Sequence, residues 1–425
     1  MTTALILAGG RGTRSGNPSL AKVCVHIGGK SLLQHHFDLL ASSQVTDVVV
    51  VAGFGGDQVS RELEAANAYG LKLRLLVEES PHGVMNALRW AISCGGLPEE
   101  ERLLVLLGDV LMSFRIDDFL HRWEGSRKPV GVVVHPSTHP LDSDTVFESF
   151  NGVTHAAAKG TVNPDIPNMS SAGVFAILGS QLDRFIKEKD FGSDVLPGAA
   201  RANRLFVYQS SHYLKDTGTA SRLASAREDF SSGVFARRGS LLPRPALFLD
   251  RDGVINPVRP ESPAPHEYQL CTGVAEAIAK TNRRGIPVFV VTNQPGIAKG
   301  FFSELHHQAV RARMDALLAE AGGFVDDYIY CPHHPESGFV GEVPSLKREC
   351  RCRKPEIGMI EELARHHHLD VVGSVVIGDS WRDLELARRV SARFVHVVIG
   401  NALPGLHPTF VEPVNAILWA IELLS

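Results

Sequence analysis

The sequence of 425 residues has no long apolar run, few cysteines and no excess of charge of either sign. No apolar stretch reaches the roughly 20 residues that a membrane-spanning helix requires, and the first residues lack the basic start of a secretory signal. The six cysteines do not make the pattern of a disulfide-rich secreted protein. The net charge of −4 argues against a nucleic-acid binder, since that class depends on basic surfaces. We therefore expect a cytoplasmic protein that acts on small molecules, without nucleic-acid or membrane partners, and a homo-oligomer is left open.

The segment Leu247–Asn256 is the most informative part of the sequence. It predicts a buried apolar strand that ends in two carboxylates, Asp250 and Asp252, and the glycine that follows lets the chain turn away. In open α/β sheets, ligands bind at the carboxyl ends of strands. A carboxylate there can attack phosphorus if a metal ion offsets the repulsion between anions, while a second carboxylate protonates the leaving oxygen. The alternative for this motif alone is a strand-end turn made by an aspartate side chain.

Two later apolar segments end in similar polar groups. Residues 286–291 lead into Thr292 and Asn293, whose hydroxyl and amide are suited to bind a phosphoryl oxygen. Residues 374–378 lead into Asp379, and Asp383 follows one helical turn later. Because three such strands would bring these groups to one sheet edge, we expect a site for a hard cation and a phosphate.

The ordered motifs Asp-x-Asp-Gly, strand-end threonine, lysine and Gly-Asp-x-x-x-Asp resemble the haloacid dehalogenase superfamily, from about residue 245 to the C-terminus. The resemblance implies a Rossmann-like parallel sheet and an Mg²⁺-dependent phosphatase. It assigns Asp250 as the nucleophile that becomes an aspartyl phosphate, Asp252 as general acid and base, Thr292 and Lys354 as ligands of the phosphoryl group, and Asp379 as an Mg²⁺ ligand with Asp250 and the Asp252 carbonyl. Asp383 would support the metal shell or cap the helix that follows.

Three thiols and an imidazole stand in two close pairs, a spacing suited to tetrahedral Zn²⁺. They are Cys331, His333, Cys350 and Cys352. The alternatives are three ordinary reduced cysteines, or His334 in place of His333. Four protein ligands leave no open position, so the zinc would be structural and would fix a loop that presents Arg353, a predicted substrate ligand, and Lys354. With Thr-Asn-Gln-Pro-Gly-Ile and Cys-Arg-Lys-Pro, this loop resembles the zinc-containing heptose bisphosphate and histidinol phosphate phosphatases.

The N-terminal segment begins with a predicted buried strand, residues 3–8, followed by Gly9, Gly10 and, further on, Arg14. Glycines after a parallel strand let backbone N–H groups approach a phosphate, and arginine supplies charge and paired donors. The turn lacks the Gly-Lys-Ser/Thr ending of a P-loop and the third glycine of a dinucleotide fingerprint. Neither a P-loop nor a dinucleotide-binding turn is therefore predicted here. Asp109 and Asp216 follow later apolar segments, and they are suited to share one Mg²⁺ that bridges the phosphates of a nucleotide.

Residues 2–230 resemble the sugar-phosphate nucleotidylyltransferases, most specifically in the segment Leu7–Arg14. The resemblance implies a GT-A-like, Rossmann-like mixed sheet, in which positioning and charge neutralisation replace a protein nucleophile. It assigns Gly9, Gly10 and Arg14 to the triphosphate, Lys22 to the attacked α-phosphorus, Gly83 to the base or sugar pocket, Lys159 to the sugar phosphate, and Asp109 with Asp216 to Mg²⁺. Ser15 and Ala21 replace the usual leucine and proline, and Ala158-Lys159-Gly160 replaces Glu-Lys-Pro. The alternative for this domain is therefore a fold that is retained without transfer activity. The alternative for Lys22 is an ordinary solvent-exposed lysine in a loop.

Together the motifs predict two α/β domains, 1–230 and 245–425, joined by a polar and basic linker at 231–244. The resemblances imply a bifunctional enzyme of nucleotide-activated heptose synthesis. The phosphatase would remove the 7-phosphate of D-glycero-D-manno-heptose 1,7-bisphosphate, and the transferase would join the remaining heptose 1-phosphate to a nucleotide, with GTP implied most strongly. The alternatives are a phosphatase with an inactive sugar-nucleotide-binding N-terminal module, and a histidinol phosphate phosphatase.

Overall fold

The computed structural model describes residues 2–10, 19–65, 69–79, 83–95, 97, 102–137, 142–149, 152–160, 166–185, 188–239, 241–259, 262–400, 402–405 and 407–425. The chain divides into two compact units. The first comprises Met1–His135, Pro140–Thr161 and Met169–Leu241, and the second comprises Pro136–His139, Val162–Asn168 and Leu242–Ser425. Within the described part of the chain, no helix combines the length and the apolar character that crossing a membrane would require.

The first unit is built on a mixed sheet. Its elements are β1 Thr2–Ala8, β2 His26–Ile27, β3 Lys30–Ser31, α1 Leu32–Ala41, β4 Asp47–Ala52, α2 Gly56–Glu64, β5 Lys72–Val77, α3 Val84–Ser93, β6 Arg102–Leu107, β7 Val110–Ser113, α4 Ile116–Ser126, β8 Val130–His135, β9 Thr145–Glu148, β10 Thr154–Ala157, β11 Ser170–Leu178, α5 Leu196–Arg201, β12 Leu205–Gln209, β13 Tyr213–Asp216, α6 Ala220–Ser231 and α7 Val234–Arg238. The main order is β10-β9-β11-β6-β1-β4-β5, and β8 joins β11 to β12. Strands β6, β1, β4 and β5 are parallel, whereas β11 is antiparallel to β6. This confirms the predicted mixed sheet.

Strand pairing brings the ends of β1 and β6 together in the first unit. Leu7 pairs with Leu107, and the Gly108 amide donates to the Leu7 carbonyl at 3.0 Å. A Cβ on Gly108 would lie 2.6 Å from that carbonyl oxygen, so the close approach requires glycine. In a second, two-stranded sheet, Asp216 at the end of β13 pairs with Val110. The residues around position 109 and the end of β13 therefore lie side by side.

The segment predicted as a linker, 231–244, contains the short helix α7. Val234 is buried and belongs to an apolar cluster with Leu223 and Ala226 of α6. The prediction of a linker rested on its polar and basic composition and on its glycines and prolines. Two apolar residues of the helix, Val234 and Phe235, pack in the same cluster as α6.

The second unit contains a six-stranded sheet in which all neighbours are parallel, as predicted. Its elements are β14 Leu247–Leu249, α8 Val274–Arg283, β15 Val288–Asn293, α9 Pro295–Ala298, α10 Glu304–Glu320, β16 Asp327–Cys331, α11 Gly358–His367, β17 Val375–Gly378, α12 Trp381–Arg389, β18 Arg393–Val397, β19 Thr409–Phe410 and α13 Pro413–Leu424. The order is β16-β15-β14-β17-β18-β19.

Both faces of this sheet are buried. Leu247 and Leu249 of β14 pack into one apolar cluster and Phe248 packs into the other. Such two-sided burial explains why the strand reads as a continuous apolar run. The chain continues from β14 to β15 on one side, and β17 lies on the other, so β14 is at the point where the strand order reverses. Open α/β sheets bind ligands at the carboxyl edge of this point.

Candidate active sites

Three carboxylates and a lysine meet beyond β14 in the second unit. The Asp250 amide donates to the Ile377 carbonyl of β17 at 2.9 Å, which holds Asp250 between the two strands. Carboxylate oxygens of Asp250, Asp379 and Asp383 lie within 4.8 Å of one another. The Lys354 amine lies 3.0 Å from an oxygen of Asp250 and 2.6 Å from one of Asp383. The structure thus gathers residues that the sequence predicted from three separate segments.

The charges of this cluster favour a cation. Burial raises the pKa of Asp250 to about 7; Lys354 opposes the rise, and Asp383, Asp252 and Asp379 add to it. Burial, followed by the nearby Asp383, raises the pKa of Asp379 to about 6. In both groups burial is the largest cause, and the neighbouring carboxylates act in the same direction. Clustered carboxylate oxygens are the ligands that Mg²⁺ uses in proteins, so Asp250 and Asp379 fit the predicted metal.

Asp383 has a role that the sequence left open. One of its oxygens accepts from the Ser380 amide at 3.2 Å and from the Ser380 hydroxyl at 2.5 Å, which caps α12. Its other oxygen accepts from Lys354. Asp383 therefore caps the helix and also anchors the lysine that contacts Asp250.

Asp252 is held by a separate set of donors. Arg251 contacts both of its oxygens at 3.0 Å, Asn256 donates at 3.0 Å and Gln294 at 2.7 Å. Burial alone would raise the pKa of Asp252, but Arg251 and these hydrogen bonds lower it overall. The Gln294 amide also donates to the Thr292 hydroxyl at 3.0 Å, which links Asp252 to the predicted phosphoryl ligand. Sequence reasoning missed Arg251, Asn256 and Gln294, although each lies within four residues of a predicted site residue.

Asn293, a predicted phosphoryl ligand, contacts the backbone of Lys354 through its side chain. Its side-chain amide donates to the Lys354 carbonyl at 3.1 Å, and its side-chain oxygen accepts from the Lys354 amide at 2.9 Å. These two bonds hold the backbone of a residue 61 positions away in the sequence. Asn293 therefore holds the backbone of Lys354 in place, and its predicted contact with a phosphoryl group stays a prediction.

Replacing Asn293 with alanine is expected to lower kcat for phosphate release by roughly 10- to 100-fold and to leave KM nearly unchanged, because a displaced Lys354 no longer contacts Asp250 in the right place. Steady-state kinetics test this, with Asn415→Ala at the exposed start of α13 as a control that keeps full activity. A variant that changed KM alone would instead support the direct phosphoryl contact suggested by the sequence.

The four predicted zinc ligands form one cluster. The three sulfurs of Cys331, Cys350 and Cys352 lie 3.2 to 3.5 Å apart, and His333 Nδ1 lies 3.2 Å from Cys352 and 3.7 Å from Cys331. A tetrahedral zinc site with ordinary bond lengths has sulfur–sulfur edges of roughly 3.8 Å and nitrogen–sulfur edges of about 3.6 Å. The sulfurs are too far apart for a disulfide, whose bond is about 2.05 Å long. The side chain of His334 points to the Glu336 carbonyl instead, so His333 is the histidine of the cluster.

The first unit gathers three of its predicted site residues. Lys22 forms an ion pair with Asp109. The Asp109 carbonyl accepts from the amide and the hydroxyl of Thr217 at 2.9 and 2.7 Å, next to Asp216. A Cβ on Gly218 would lie 2.8 Å from an oxygen of Asp216 and 3.1 Å from the Lys22 amine. Asp216 therefore lies near Lys22, which is the partner of Asp109. This set of carboxylates and lysine fits a cation and a phosphate chain.

One cation in this site was not predicted. Arg222, in the first turn of α6, donates to Asp216 at 2.6 Å and to Asp142 at 3.2 Å. Its position three residues after Thr219, the cap of α6, brings it back over the strand end. The sequence signal for this contact was an arginine six residues after the strand-end carboxylate Asp216.

The remaining predicted residues of the first unit are spread along the sheet. Gly9 and Gly10 follow β1, and a Cβ on Gly10 would lie 3.8 Å from the Lys22 side chain. Gly83 starts α3 with a φ of 94°, a conformation that favours glycine. Lys159 is exposed in the turn after the edge strand β10, where its amide donates to Asp144. Arg14 lies outside the described residues.

Comparison with known proteins assigns a family to each half. Residues 4–182 match a model described as MobA-like NTP transferase domain; residues 351–417 match a HAD-hydrolase-like model, and residues 249–381 match polynucleotide kinase 3 phosphatase. These matches confirm both resemblances predicted from the motifs.

Proteins similar to the C-terminal half have names that state an activity. The D-glycero-beta-D-manno-heptose-1,7-bisphosphate 7-phosphatase of Vibrio cholerae is 41% identical over 144 residues, covering 34% of this chain and 75% of that protein. The enzyme of that name from Escherichia coli K12 is 36% identical over 181 residues, covering 43% and 90%. A crystal structure of D,D-heptose 1,7-bisphosphate phosphatase from B. bronchiseptica with magnesium and phosphate is 30% identical, covering 42% and 98%, with a TM-score of 0.37.

Proposed function

Because this chain belongs to the D-glycero-beta-D-manno-heptose-1,7-bisphosphate 7-phosphatase family, we propose that its second unit removes the 7-phosphate of a heptose 1,7-bisphosphate. The observation that carries the proposal is the buried contact of Lys354 with Asp250 and Asp383 beside Asp379, at the carboxyl edge of β14. The chain is thus a phosphatase, and its first unit adds a nucleotidyltransferase domain.

The hydrolysis proceeds in two steps. An oxygen of Asp250 attacks phosphorus, the bond from phosphorus to the sugar oxygen breaks, and Asp252 gives that oxygen a proton. Asp252 then takes a proton from water, whose oxygen attacks the aspartyl phosphate, and inorganic phosphate leaves. Since Arg251, Asn256 and Gln294 favour the ionised form of Asp252, the residue is ready for the second step, and it must first take up a proton from solvent to act in the first step. Mg²⁺ held by Asp250 and Asp379 would supply the charge that lets an anionic phosphate approach.

The first unit would transfer a nucleotidyl group from GTP to heptose 1-phosphate. A phosphate oxygen of the sugar attacks the α-phosphorus, the bond between the α- and β-phosphates breaks, and pyrophosphate leaves. Lys22 would offset charge at the attacked phosphorus, and Asp109 with Asp216 would hold Mg²⁺. The support is the ion pair of Lys22 with Asp109 and the position of Lys22 and Asp216 beside Gly218. The phosphatase would make the substrate of the transferase.

Release of phosphate and pyrophosphate from purified protein tests both activities. With heptose 1,7-bisphosphate and Mg²⁺, phosphate release is expected without nucleotide, and pyrophosphate release only after GTP is added. No pyrophosphate with heptose 1-phosphate and any of the four nucleoside triphosphates would leave the first unit as a binding module. Preferential hydrolysis of histidinol phosphate, at equal concentration, would show that the heptose assignment is wrong.

Zinc in the Cys331 cluster would hold Lys354 indirectly, since Cys352 precedes it by two residues. Replacing Cys352 with serine is expected to lower the zinc content and to reduce phosphate release by roughly 10- to 100-fold, because a loosened loop misplaces the lysine. Metal analysis and kinetics on the same sample test this. Cys94→Ser, at an exposed cysteine of the first unit, is the matched control. Full activity of Cys352→Ser with unchanged metal content would contradict the zinc assignment.

A further inference from the structure

The guanidinium group of Arg251 is held at two edges. The residue is 3% exposed, so its five N–H donors need acceptors within the protein. Nε and Nη2 donate to the carboxylate of Asp252 at 3.0 to 3.2 Å, and Nη2 also donates to the side-chain oxygen of Gln294 at 3.0 Å. Nη1, at the other edge, faces His307 and Tyr328. These four residues account for all five donors, and two of them lie behind the arginine that holds Asp252.

His307 is the fourth residue of α10, and the start of that helix fixes its place. Its backbone amide donates to the carbonyl of Ser303, the N-terminal cap of α10, at 3.0 Å. The residue is 2% exposed, and its ring centre lies 4.3 Å from that of Tyr330 on β16. Its Nδ1 lies 3.4 Å from Nη1 of Arg251, and its Nε2 lies 3.2 Å from the hydroxyl oxygen of Tyr328. The packing of α10 on β16 therefore sets the direction of the imidazole.

The chemistry of the two partners decides which imidazole nitrogen carries the hydrogen. A guanidinium group only donates, so Nδ1 of His307 accepts from Arg251. In a neutral imidazole the hydrogen is then on Nε2, which donates to the hydroxyl oxygen of Tyr328. Burial, followed by the positive charge of Arg251, lowers the pKa of His307 well below its usual value, which favours this neutral form. The same hydroxyl oxygen accepts from Nη1 at 3.5 Å and gives Arg251 its second acceptor on this edge.

We propose that His307 is a positioning residue for the hydrolysis: together with Tyr328 it orients Arg251, and thereby holds the carboxylate of Asp252 where it reaches the leaving oxygen. The proposal rests on the proposed phosphatase function and adds to it two residues that act through Arg251. Without Nδ1 of His307, a buried donor of Arg251 loses its acceptor, and the guanidinium group turns toward another one. A small displacement of the acid that Arg251 holds then slows the reaction without weakening substrate binding.

The test compares kcat/KM of the full chain for heptose 1,7-bisphosphate and for p-nitrophenyl phosphate. For both substrates this parameter covers the steps up to departure of the leaving group. A sugar oxygen needs a proton from Asp252 to leave, whereas nitrophenolate is a weak base and leaves without one. His307→Phe keeps a ring of similar size and removes both nitrogens. It is expected to lower the value about 10- to 100-fold for the bisphosphate and by less than about threefold for p-nitrophenyl phosphate.

Three further variants make the comparison specific. His307→Asn places an amide oxygen near the position of Nδ1 and is expected to restore part of the loss, because Arg251 regains its acceptor. Tyr328→Phe removes only the hydroxyl and is expected to change the ratio of the two values in the same direction by a smaller factor. Glu320→Gln, at the end of α10 with a side chain that is 68% exposed, is the control with an unchanged ratio.

The outcomes separate this proposal from the proposed function. An unchanged ratio in a folded His307→Phe protein, or an equal loss for both substrates, would overturn the positioning role, since a merely structural residue affects both alike. If the wild-type chain does not hydrolyse the heptose bisphosphate, the proposed function is wrong. Crystal structures of the wild-type and His307→Phe proteins then decide the positioning role: Arg251 is expected to lose its paired contact with Asp252 in the variant, and an unchanged contact would overturn it. If His307→Phe does not fold, Tyr328→Phe takes its place in both measurements.

Discussion

Replacing Asp250 with asparagine is expected to abolish phosphate release, with a loss on the order of 10⁴-fold or more, while nucleotidyl transfer continues at its normal rate. Removal of a covalent nucleophile costs this much in other hydrolases. Asparagine has nearly the shape of aspartate, but its amide does not attack phosphorus. Lys354 keeps its contact with Asp383, so the surrounding geometry is retained. Phosphate and pyrophosphate release, measured on one preparation, give the two rates.

The folded state should tolerate this change. Burial and three neighbouring carboxylates raise the pKa of Asp250 to about 7, despite the opposing effect of Lys354, so the ionised side chain destabilises the metal-free protein near neutral pH. A neutral amide removes that charge, and Tm without added metal should stay the same or rise. A large loss of stability would contradict this account of the buried charge, and residual phosphate release within tenfold of wild type would contradict the nucleophile assignment.

Replacing Asp109 with alanine is expected to reduce pyrophosphate release by about 10²- to 10³-fold and to leave phosphate release intact. The substitution removes a predicted Mg²⁺ ligand and the partner of Lys22. Loss of one preorganised electrostatic group at a reacting phosphate costs this order of magnitude. The backbone should keep its place, because Thr217 bonds to the Asp109 carbonyl and not to its side chain.

Asp57→Ala, at an exposed carboxylate in the first turn of α2, is the matched control for this change and should transfer nucleotide normally. Undiminished transfer by Asp109→Ala would show that the carboxylate is not part of the site. Loss of both activities, in this variant or in Asp250→Asn, would show that the two units are not independent catalysts.

The sequence predicted those parts of the sites that lie at strand ends. Asp250, Thr292 and Asp379 each follow an apolar run, and the parallel order of strands brings such positions together without knowledge of loops. The spacing of the cysteines also predicted the cluster around His333, since two close pairs of ligands are a local pattern. Both fold classes followed from the families that the motifs resemble.

The sequence did not predict the hydrogen-bond and ion-pair partners of each polar side chain. Asn293 ends a strand, as a phosphate ligand would. Its side-chain amide, however, donates a hydrogen bond to the backbone of Lys354, which lies in a loop 61 residues later. Arg222 contacts Asp216 because α6 begins beside the end of β13, and the direction of an arginine in a first helical turn depends on tertiary packing. The helix α7 lies within the predicted linker, where two apolar residues pack it against α6.

The predicted nucleophile, Asp250, directly follows the buried strand β14. Leu247, Phe248 and Leu249 are completely buried and paired with neighbouring strands on both sides. Loss of such a side chain costs about 2 to 5 kcal/mol, so substitutions there lower the amount of folded protein. Trp381 and Arg351, close in sequence to Asp379 and Lys354, are exposed, and substitutions at exposed positions cost little stability. A protein of this kind can therefore change the molecule it accepts through exposed residues, while the chemistry at Asp250 is inherited unchanged.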